Sequence, residues 1–133
     1  MINNLAIIED EEISAFITKK IIEMDRRTKQ IHIFKNGETA IDYFKTYASE
    51  AQLLPEVIFL DLNMPVMNGW QFIEAYQKIF YKFAKKLEIY ILSSSITIAE
   101  INKIKEIKVI SGHIIKPITK QLFAELAKKH FKS

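Results

Sequence analysis

The sequence contains no cysteine, and glycine and proline occur only three times each in its 133 residues. The lack of thiols excludes disulfides, thiolate metal sites and cysteine nucleophiles. No apolar run approaches the length of a membrane-spanning helix, and the run at residues 5–8 is too short for a signal peptide. We therefore expect a cytoplasmic protein with no membrane partner and no covalent cross-links.

The charge balance is mild, with 19 basic residues, 16 acidic residues and a formal net charge of +3. A nucleic-acid-binding domain carries a denser positive charge, so we expect no nucleic-acid partner. Hydrophobic residues make up 49% of the chain and charged residues 26%, which is typical of an ordinary globular protein. The length suits one compact domain, and we predict a single domain over residues 1–133.

Short apolar runs alternate with segments of helical periodicity along the whole chain. The runs that favour strands lie at residues 5–8, 30–34, 56–60, 88–92 and 112–115. In the helix after the first run, the apolar residues at helical spacing are Ile13, Phe16, Ile17, Ile21 and Met24, a stripe of the kind that normally faces a core. The segment from Trp70 to Phe83 predicts one long helix rich in aromatic residues. Five strands alternating with five helices predict an α/β fold, with a five-stranded, doubly wound parallel sheet covered on both faces.

Polar side chains follow four of these predicted strands. They are Glu9 and Asp10 after the first, Asp61 after the third, Ser93, Ser94 and Ser95 after the fourth, and Lys116 after the fifth. Because the carboxyl ends of parallel strands share one edge, these side chains should converge there. Two carboxylates at ~4 Å repel by about 4 kcal/mol at an intermediate dielectric, and Mg²⁺ or Mn²⁺ would relieve that repulsion. The set suits phosphoryl transfer to Asp61, with Lys116 neutralising negative charge.

The same residues carry a family resemblance that covers essentially the whole chain. The pair Glu9-Asp10, Asp61 within Asp-Leu-Asn-Met-Pro, Gly69, Ser93 after Ile-Leu, and Lys116-Pro117 occur in an order that resembles the receiver domain of two-component response regulators. The resemblance implies a flavodoxin-like strand order of 2-1-3-4-5, an order that is described for a chemotaxis receiver.

The resemblance also implies a role for each matching residue. Asp61 is then the phosphoacceptor, and Asp10, Asp61 and the backbone carbonyl of Asn63 are the metal ligands, with Glu9 acting through water. Ser93 and Lys116 bind the phosphoryl group as the switch residues. His113 falls where the family usually has a rotating aromatic side chain.

The chain departs from the family pattern at a few positions. Glu9 replaces the more usual aspartate and lengthens the side chain. Ser94 is an alternative to Ser93 as the switch hydroxyl, because three serines are consecutive. His113 replaces a tyrosine or phenylalanine and introduces the possibility of pH sensitivity. A cis peptide bond before Pro117 is a further expectation from the family.

The function implied is that of a stand-alone receiver, a signalling module that catalyses only its own phosphorylation and dephosphorylation. A sensor histidine kinase or a phosphotransfer protein would be the donor. The face formed by the fourth helix, fifth strand and fifth helix would bind a downstream protein. The alternatives are a receiver cut from a longer response regulator, a Mg²⁺-dependent phosphohydrolase with Asp61 as nucleophile, and a purely structural module. Asn63 argues against the hydrolase, because it stands where such enzymes commonly place an acid, and the intact acid set argues against the structural module.

Overall fold

The structure is a computed structural model, and it describes residues 1–130 of the chain. Residues 131–133, the last three of the predicted domain, lie outside the described part. In the described part, the strands and helices alternate in the order β1 (Ile2–Ile8), α1 (Glu12–Asp25), β2 (Thr28–Phe34), α2 (Gly37–Thr46), β3 (Val57–Leu60), α3 (Gly69–Ile79), β4 (Glu88–Ser93), α4 (Ile98–Glu106), β5 (Ile110–Ile115) and α5 (Lys120–His130). Short 3₁₀ helices at Ala51–Leu53 and Phe80–Lys82 precede β3 and follow α3.

The five strands form one parallel sheet in the order β2-β1-β3-β4-β5, which confirms the predicted topology. From β1 the chain first moves outward to β2, and then returns to place β3 on the other side of β1. The strand order therefore reverses between β1 and β3. In open α/β sheets the carboxyl ends of the strands at this reversal form the crevice that binds ligands.

Two apolar clusters cover the two faces of the sheet. Phe44 of α2 and Phe72 of α3 are fully buried in one cluster, while Ile22 of α1 and Phe123 of α5 are fully buried in the other. All four residues of β3 are buried, as expected for a central strand covered by helices on both sides. The position of the residue that follows β3 is therefore fixed by the core.

Most of the apolar stripe predicted for α1 does not face the core, although Ile21 packs against it. Ile13 is 72% exposed, and Phe16 is 57% exposed. The helix instead buries Ala15, Thr18 and Ile22, which are spaced by three and four residues and so share one face. Ile13, Phe16 and Ile17 instead form an exposed apolar patch of the kind that often marks an interaction site.

The α-helix that begins at Gly69 ends at Ile79, so the prediction of one helix through Phe83 is wrong. The backbone N–H of Ala84 donates to the carbonyl of Ala48, 2.7 Å away, which draws the chain towards the segment after α2. Phe83 still packs on Tyr76 of α3, with 5.5 Å between ring centroids. The sequence pattern of apolar residues thus runs past the end of α3 because Phe83 packs on the core without being helical. None of the helices within residues 1–130 is long and apolar enough to cross a membrane.

Candidate functional site

Three carboxylates meet at the carboxyl edge of the sheet, at the reversal of strand order. Glu9 and Asp10 follow β1, and Asp61 follows β3, whose last residue pairs with the last residue of β1. The backbone N–H of Asp61 donates to the carbonyl of Ile8, 3.0 Å away, and so extends this pairing by one residue. Oxygen atoms of the three carboxylates lie within 4.8 Å of one another. The structure thus brings together the acids that the strand ends predict.

Lys116 supplies positive charge to this cluster. Its ammonium donates a hydrogen bond to the carboxylate of Glu9 and lies 3.8 Å from Oδ2 of Asp61. The peptide bond between Lys116 and Pro117 is cis, as the family resemblance predicts. The backbone N–H of Lys116 donates to the carbonyl of Ser93, 2.9 Å away, which joins the ends of β4 and β5.

The carboxyl groups of Asp61 and Glu9 are buried, with exposed fractions of 6% and 4%. Burial raises the pKa of Asp61 to about 7, and the hydrogen bond and negative charge of Glu9 contribute to the rise, against the opposing charge of Lys116. Burial also acts to raise the pKa of Glu9, but hydrogen bonds from Lys116, Asp61 and Ser14 outweigh it and lower that pKa. Glu9 therefore holds its negative charge, and Asp61 is the carboxyl group that more readily takes up a proton.

The donor set fits a hard divalent cation. Carboxylate oxygens and waters are the ligands that Mg²⁺ prefers, and Mn²⁺ shares this preference. Three carboxylates face the one ammonium of Lys116, so the cluster carries a net negative charge when all three are ionised. A divalent cation would supply the missing positive charge. Asp10 is exposed, so its carboxylate can reach a solvated ion.

The structure separates the two serines that the sequence left as alternatives. Ser93 is the last residue of β4 and is fully buried, and its hydroxyl donates to the carbonyl of Ser95, 3.3 Å away. It pairs with Ile115, the residue before Lys116. Ser94 is exposed and lines a surface hollow with Lys116 and Pro117. Ser93 is thus the serine held in a fixed position at the end of its strand.

His113 lies within β5, opposite Ile91 of β4, and is half-buried. It precedes the end of its strand by two residues, so the structure does not place it among the acids. Asn63 is exposed in the loop after β3, and its backbone N–H donates to Oδ1 of Asp61, 3.4 Å away. The roles of both residues stay predictions.

Ser14 is a site residue that the sequence reasoning missed. Its hydroxyl donates to Oε1 of Glu9, 2.8 Å away, from the first turn of α1. This oxygen also accepts the hydrogen bond from Lys116. The sequence signal that could have identified Ser14 is its position, five residues after Glu9 and in the first turn of the predicted helix.

Gly69 allows the loop after β3 to fold back on the site. A Cβ atom at this position would lie 2.7 Å from the backbone oxygen of Asp61 and 2.8 Å from Cα of Leu62. The N–H of Gly69 donates to the carbonyl of Leu62, 3.0 Å away, which holds this approach in place. Asn68 caps α3 by accepting a hydrogen bond from the N–H of Gln71, so the loop ends in a well-defined helix start.

The comparison with protein families decides what kind of domain this is. The model described as "Response regulator receiver domain" matches residues 5–128. The chain belongs to this family. Receiver domains are signalling modules of two-component systems rather than metabolic enzymes, and they typically bind Mg²⁺ in an acidic pocket of the kind formed here by Glu9, Asp10 and Asp61. They interact with histidine kinases or phosphotransfer proteins and with downstream partners.

Solved structures of response regulators resemble this receiver over nearly its whole length. A two component response regulator from Cytophaga hutchinsonii is 27% identical, with a TM-score of 0.89, and the match covers 99% of this chain and 98% of that one. A response regulator receiver protein from Dyadobacter fermentans is 26% identical, with a TM-score of 0.84, and the match covers 98% of each chain.

A more distant sequence relative is the probable methanogenesis regulatory protein FilR2 of Methanothrix harundinacea. It is 21% identical over 115 residues, which is 86% of this chain and 72% of that protein. The chain is thus similar in sequence to a protein described as a regulator.

Proposed function

We propose that Asp61 of this receiver accepts a phosphoryl group from a phosphohistidine, carried by a sensor histidine kinase or a phosphotransfer protein. The observation that supports this most is the position of the Asp61 carboxylate. It lies buried at the end of β3, within 4.8 Å of two other carboxylates and 3.8 Å from the Lys116 ammonium. A carboxylate oxygen of Asp61 attacks phosphorus, the phosphorus–nitrogen bond breaks, and its electron pair stays on the donor imidazole.

Different residues around Asp61 would bind the metal ion and the phosphoryl group. Asp10, Asp61 and the backbone carbonyl of Asn63 would hold Mg²⁺ or Mn²⁺. Glu9 would act through water, because its Oε1 already accepts hydrogen bonds from Lys116 and Ser14. The bound ion would supply positive charge against the phosphoryl oxygens. Lys116 is placed to pair with one of these oxygens after the transfer.

Phosphorylation would change the positions of the switch residues. The new group carries a charge of roughly −1.5 to −2, which would attract the ammonium of Lys116 and the hydroxyl of Ser93. The Ser93 hydroxyl would then leave the carbonyl of Ser95, its present acceptor. The loop between β4 and α4 would move with it. This is a population shift, limited by how differently the phosphoryl group contacts the two states.

We propose the face formed by α4, β5 and α5 as the surface that a downstream protein reads. It carries exposed apolar side chains at Ile98, Ile115 and Leu122, with Ile98 78% exposed. His113 belongs to the β5 strand of this face. A shift in the β4–α4 loop would change the start of α4, where Ile98 lies.

The phosphodonor would dock beside the acids, on the exposed side of α1. Ile13 and Ile17 line a hollow of about 370 Å³ that is bounded by Lys116 and Pro117. Phe16 extends this apolar surface along the same helix. A partner helix seated there would bring its phosphohistidine to the carboxyl edge of the sheet.

The test is phosphorylation by a small donor. With Mg²⁺ and acetyl phosphate, the protein should gain the mass of one phosphoryl group, and Asp61→Asn should not. Asp42→Asn is the matched control, because Asp42 is an exposed carboxylate on α2, away from the cluster. Equal labelling of the wild type and Asp61→Asn would contradict the proposal.

A further inference from the structure

A groove opens at the amino edge of the sheet, opposite the carboxylate cluster. Its volume is about 570 Å³, within the range of roughly 300–1,000 Å³ that binding pockets occupy. The segment between α3 and β4 forms one side, and Lys108 and Val109, just before β5, contribute to the other. We call it the amino-edge groove.

Aromatic side chains form the floor and wall of the amino-edge groove. Tyr76 is buried, and its ring lies 5.9 Å from Phe80 and 5.5 Å from Phe83, measured between ring centroids. Tyr81 is 71% exposed, and Phe80 is 45% exposed. Phe80 is exposed and already packs on the buried ring of Tyr76, so it would contact a partner at a low cost in conformational entropy.

The charged side chains that line the groove are all lysines: Lys85, Lys86 and Lys108. Lys85 forms an ion pair with Glu56, 3.3 Å away, which fixes the side chain. Lys86 lies 3.8 Å from Glu88, but its side chain is 80% exposed, so this pair is weak. Lys108 is exposed and forms no ion pair within residues 1–130. The groove therefore presents positive charge around an apolar floor.

We propose that the amino-edge groove binds an acidic segment of a partner protein that carries an apolar or aromatic anchor side chain. The anchor would enter between Phe80 and Phe83, and the acids would face Lys86 and Lys108. The concave shape favours a protein segment over a membrane surface, because a hollow of this size can enclose an inserted side chain. Such anchors in a pocket, with charge at the rim, are typical of protein interfaces.

This site is separate from the phosphoacceptor site. The groove lies before the start of β4, whereas Asp61 follows the end of β3, and β3 has four residues. At ~3.3 Å per residue, about 13 Å of sheet separates the two edges. Binding at the groove needs neither Asp61 nor a metal ion. The inference goes beyond the proposed function and does not depend on it.

The experiment measures binding of the full chain to a set of short labelled peptides by fluorescence anisotropy. The probe peptides are rich in Glu and Asp, with Phe, Leu or Trp at the centre. One reference set replaces the acids with Lys, and a second replaces the central apolar residue with Ser. We expect the wild type to bind the acidic apolar peptides above both reference sets, and more tightly at low salt.

Two double variants test where the peptide binds. Lys86→Glu with Lys108→Glu should weaken binding by at least about fivefold, because it reverses two rim charges. Lys29→Glu with Lys128→Glu makes the same change in net charge at exposed lysines elsewhere and should bind like the wild type. Asp61→Asn should also bind like the wild type, so a failure of this site is distinguishable from a failure of phosphorylation.

Three kinds of outcome would overturn the proposal. The first is equal binding of the acidic and Lys-substituted peptides, or equal loss in both double variants. The second is binding of the protein to vesicles of anionic phospholipid, lost with Lys86→Glu and Lys108→Glu, without peptide binding. The third is concentration-dependent self-association in sedimentation experiments that the same variant abolishes, which would assign the groove to a second copy of the chain.

Discussion

Replacing Asp61 by asparagine should stabilise the protein when divalent cations are removed. Asparagine keeps the shape of the side chain and removes the charge that Glu9 repels. The pKa of Asp61 is raised from its ordinary value of 3.8 to about 7. At about 1.4 kcal/mol per pKa unit, this rise corresponds to an upper limit of about 4 kcal/mol for keeping Asp61 charged. This net rise already includes the opposing effects of Lys116 and the Asn63 N–H. The side-chain N–H groups of a buried asparagine would lose hydrogen bonds at a cost of about 1–3 kcal/mol, so we expect a net gain of about 2 kcal/mol.

The sign of the pH dependence follows from the raised pKa. The folded protein holds the Asp61 proton more tightly than the unfolded chain does, so this contribution to stability is fully present below about pH 4. It is lost as the pH rises through about 7, where folded Asp61 ionises. The wild type should therefore lose stability over this range, and Asp61→Asn should lose less. The two proteins should have similar free energies of unfolding at the acid end.

The assay is urea unfolding followed by circular dichroism, in buffer with a chelator, at several pH values. Asp42→Asn serves as the control, because its carboxylate is exposed and outside the cluster. Adding Mg²⁺ should stabilise the wild type more than Asp61→Asn, since only the wild type keeps the full set of carboxylates. The reasoning is refuted if Asp61→Asn is no more stable than the wild type near neutral pH and shows the same pH dependence.

Three further substitutions, each paired with a control substitution, test the site. Gly69→Ala should lower the free energy of unfolding by about 2 kcal/mol and slow phosphorylation, because its Cβ would lie 2.7 Å from the Asp61 backbone oxygen. Gly112→Ala, whose Cβ would meet only the Tyr90 ring at 3.4 Å, should cost much less in thermal unfolding. Lys116→Ala should destabilise the protein by about 3 kcal/mol in urea, since it leaves buried Glu9 without its ammonium partner, whereas exposed Lys120→Ala should have little effect. Ser93→Ala should change the lifetime of the phosphorylated protein, measured by loss of label, and Ser94→Ala should not; the reverse result would assign the switch to Ser94.

The sequence predicts a parallel sheet covered by helices on both faces because strands and helices alternate, and each element has its own periodicity. The strand order was predicted from the family resemblance. The sequence also predicts the meeting of Glu9, Asp10, Asp61 and Lys116, since the carboxyl ends of parallel strands share one edge. Identifying which residues follow the strands was therefore enough to predict which side chains lie together. Exact boundaries were not needed, and β5 indeed begins two residues before the predicted run, at Ile110.

Features that depend on the angle at which helices pack were not predictable. The stripe of Ile13 and Phe16 has the spacing of a core face, yet α1 buries Ala15 and Thr18. Periodicity shows which residues share a face, but not which face meets the sheet. The amino-edge groove was equally hidden, because it joins the segment around Phe80 to Lys108, far away in the sequence. A local sequence pattern does not show that two segments so far apart in the chain lie side by side.

The hydrogen bond from the Lys116 N–H to the Ser93 carbonyl has a mechanical consequence. It couples the ends of two neighbouring strands through the backbone itself, independently of side-chain chemistry. A displacement of either strand end would therefore act on the other through this backbone hydrogen bond, at the rim of the sheet.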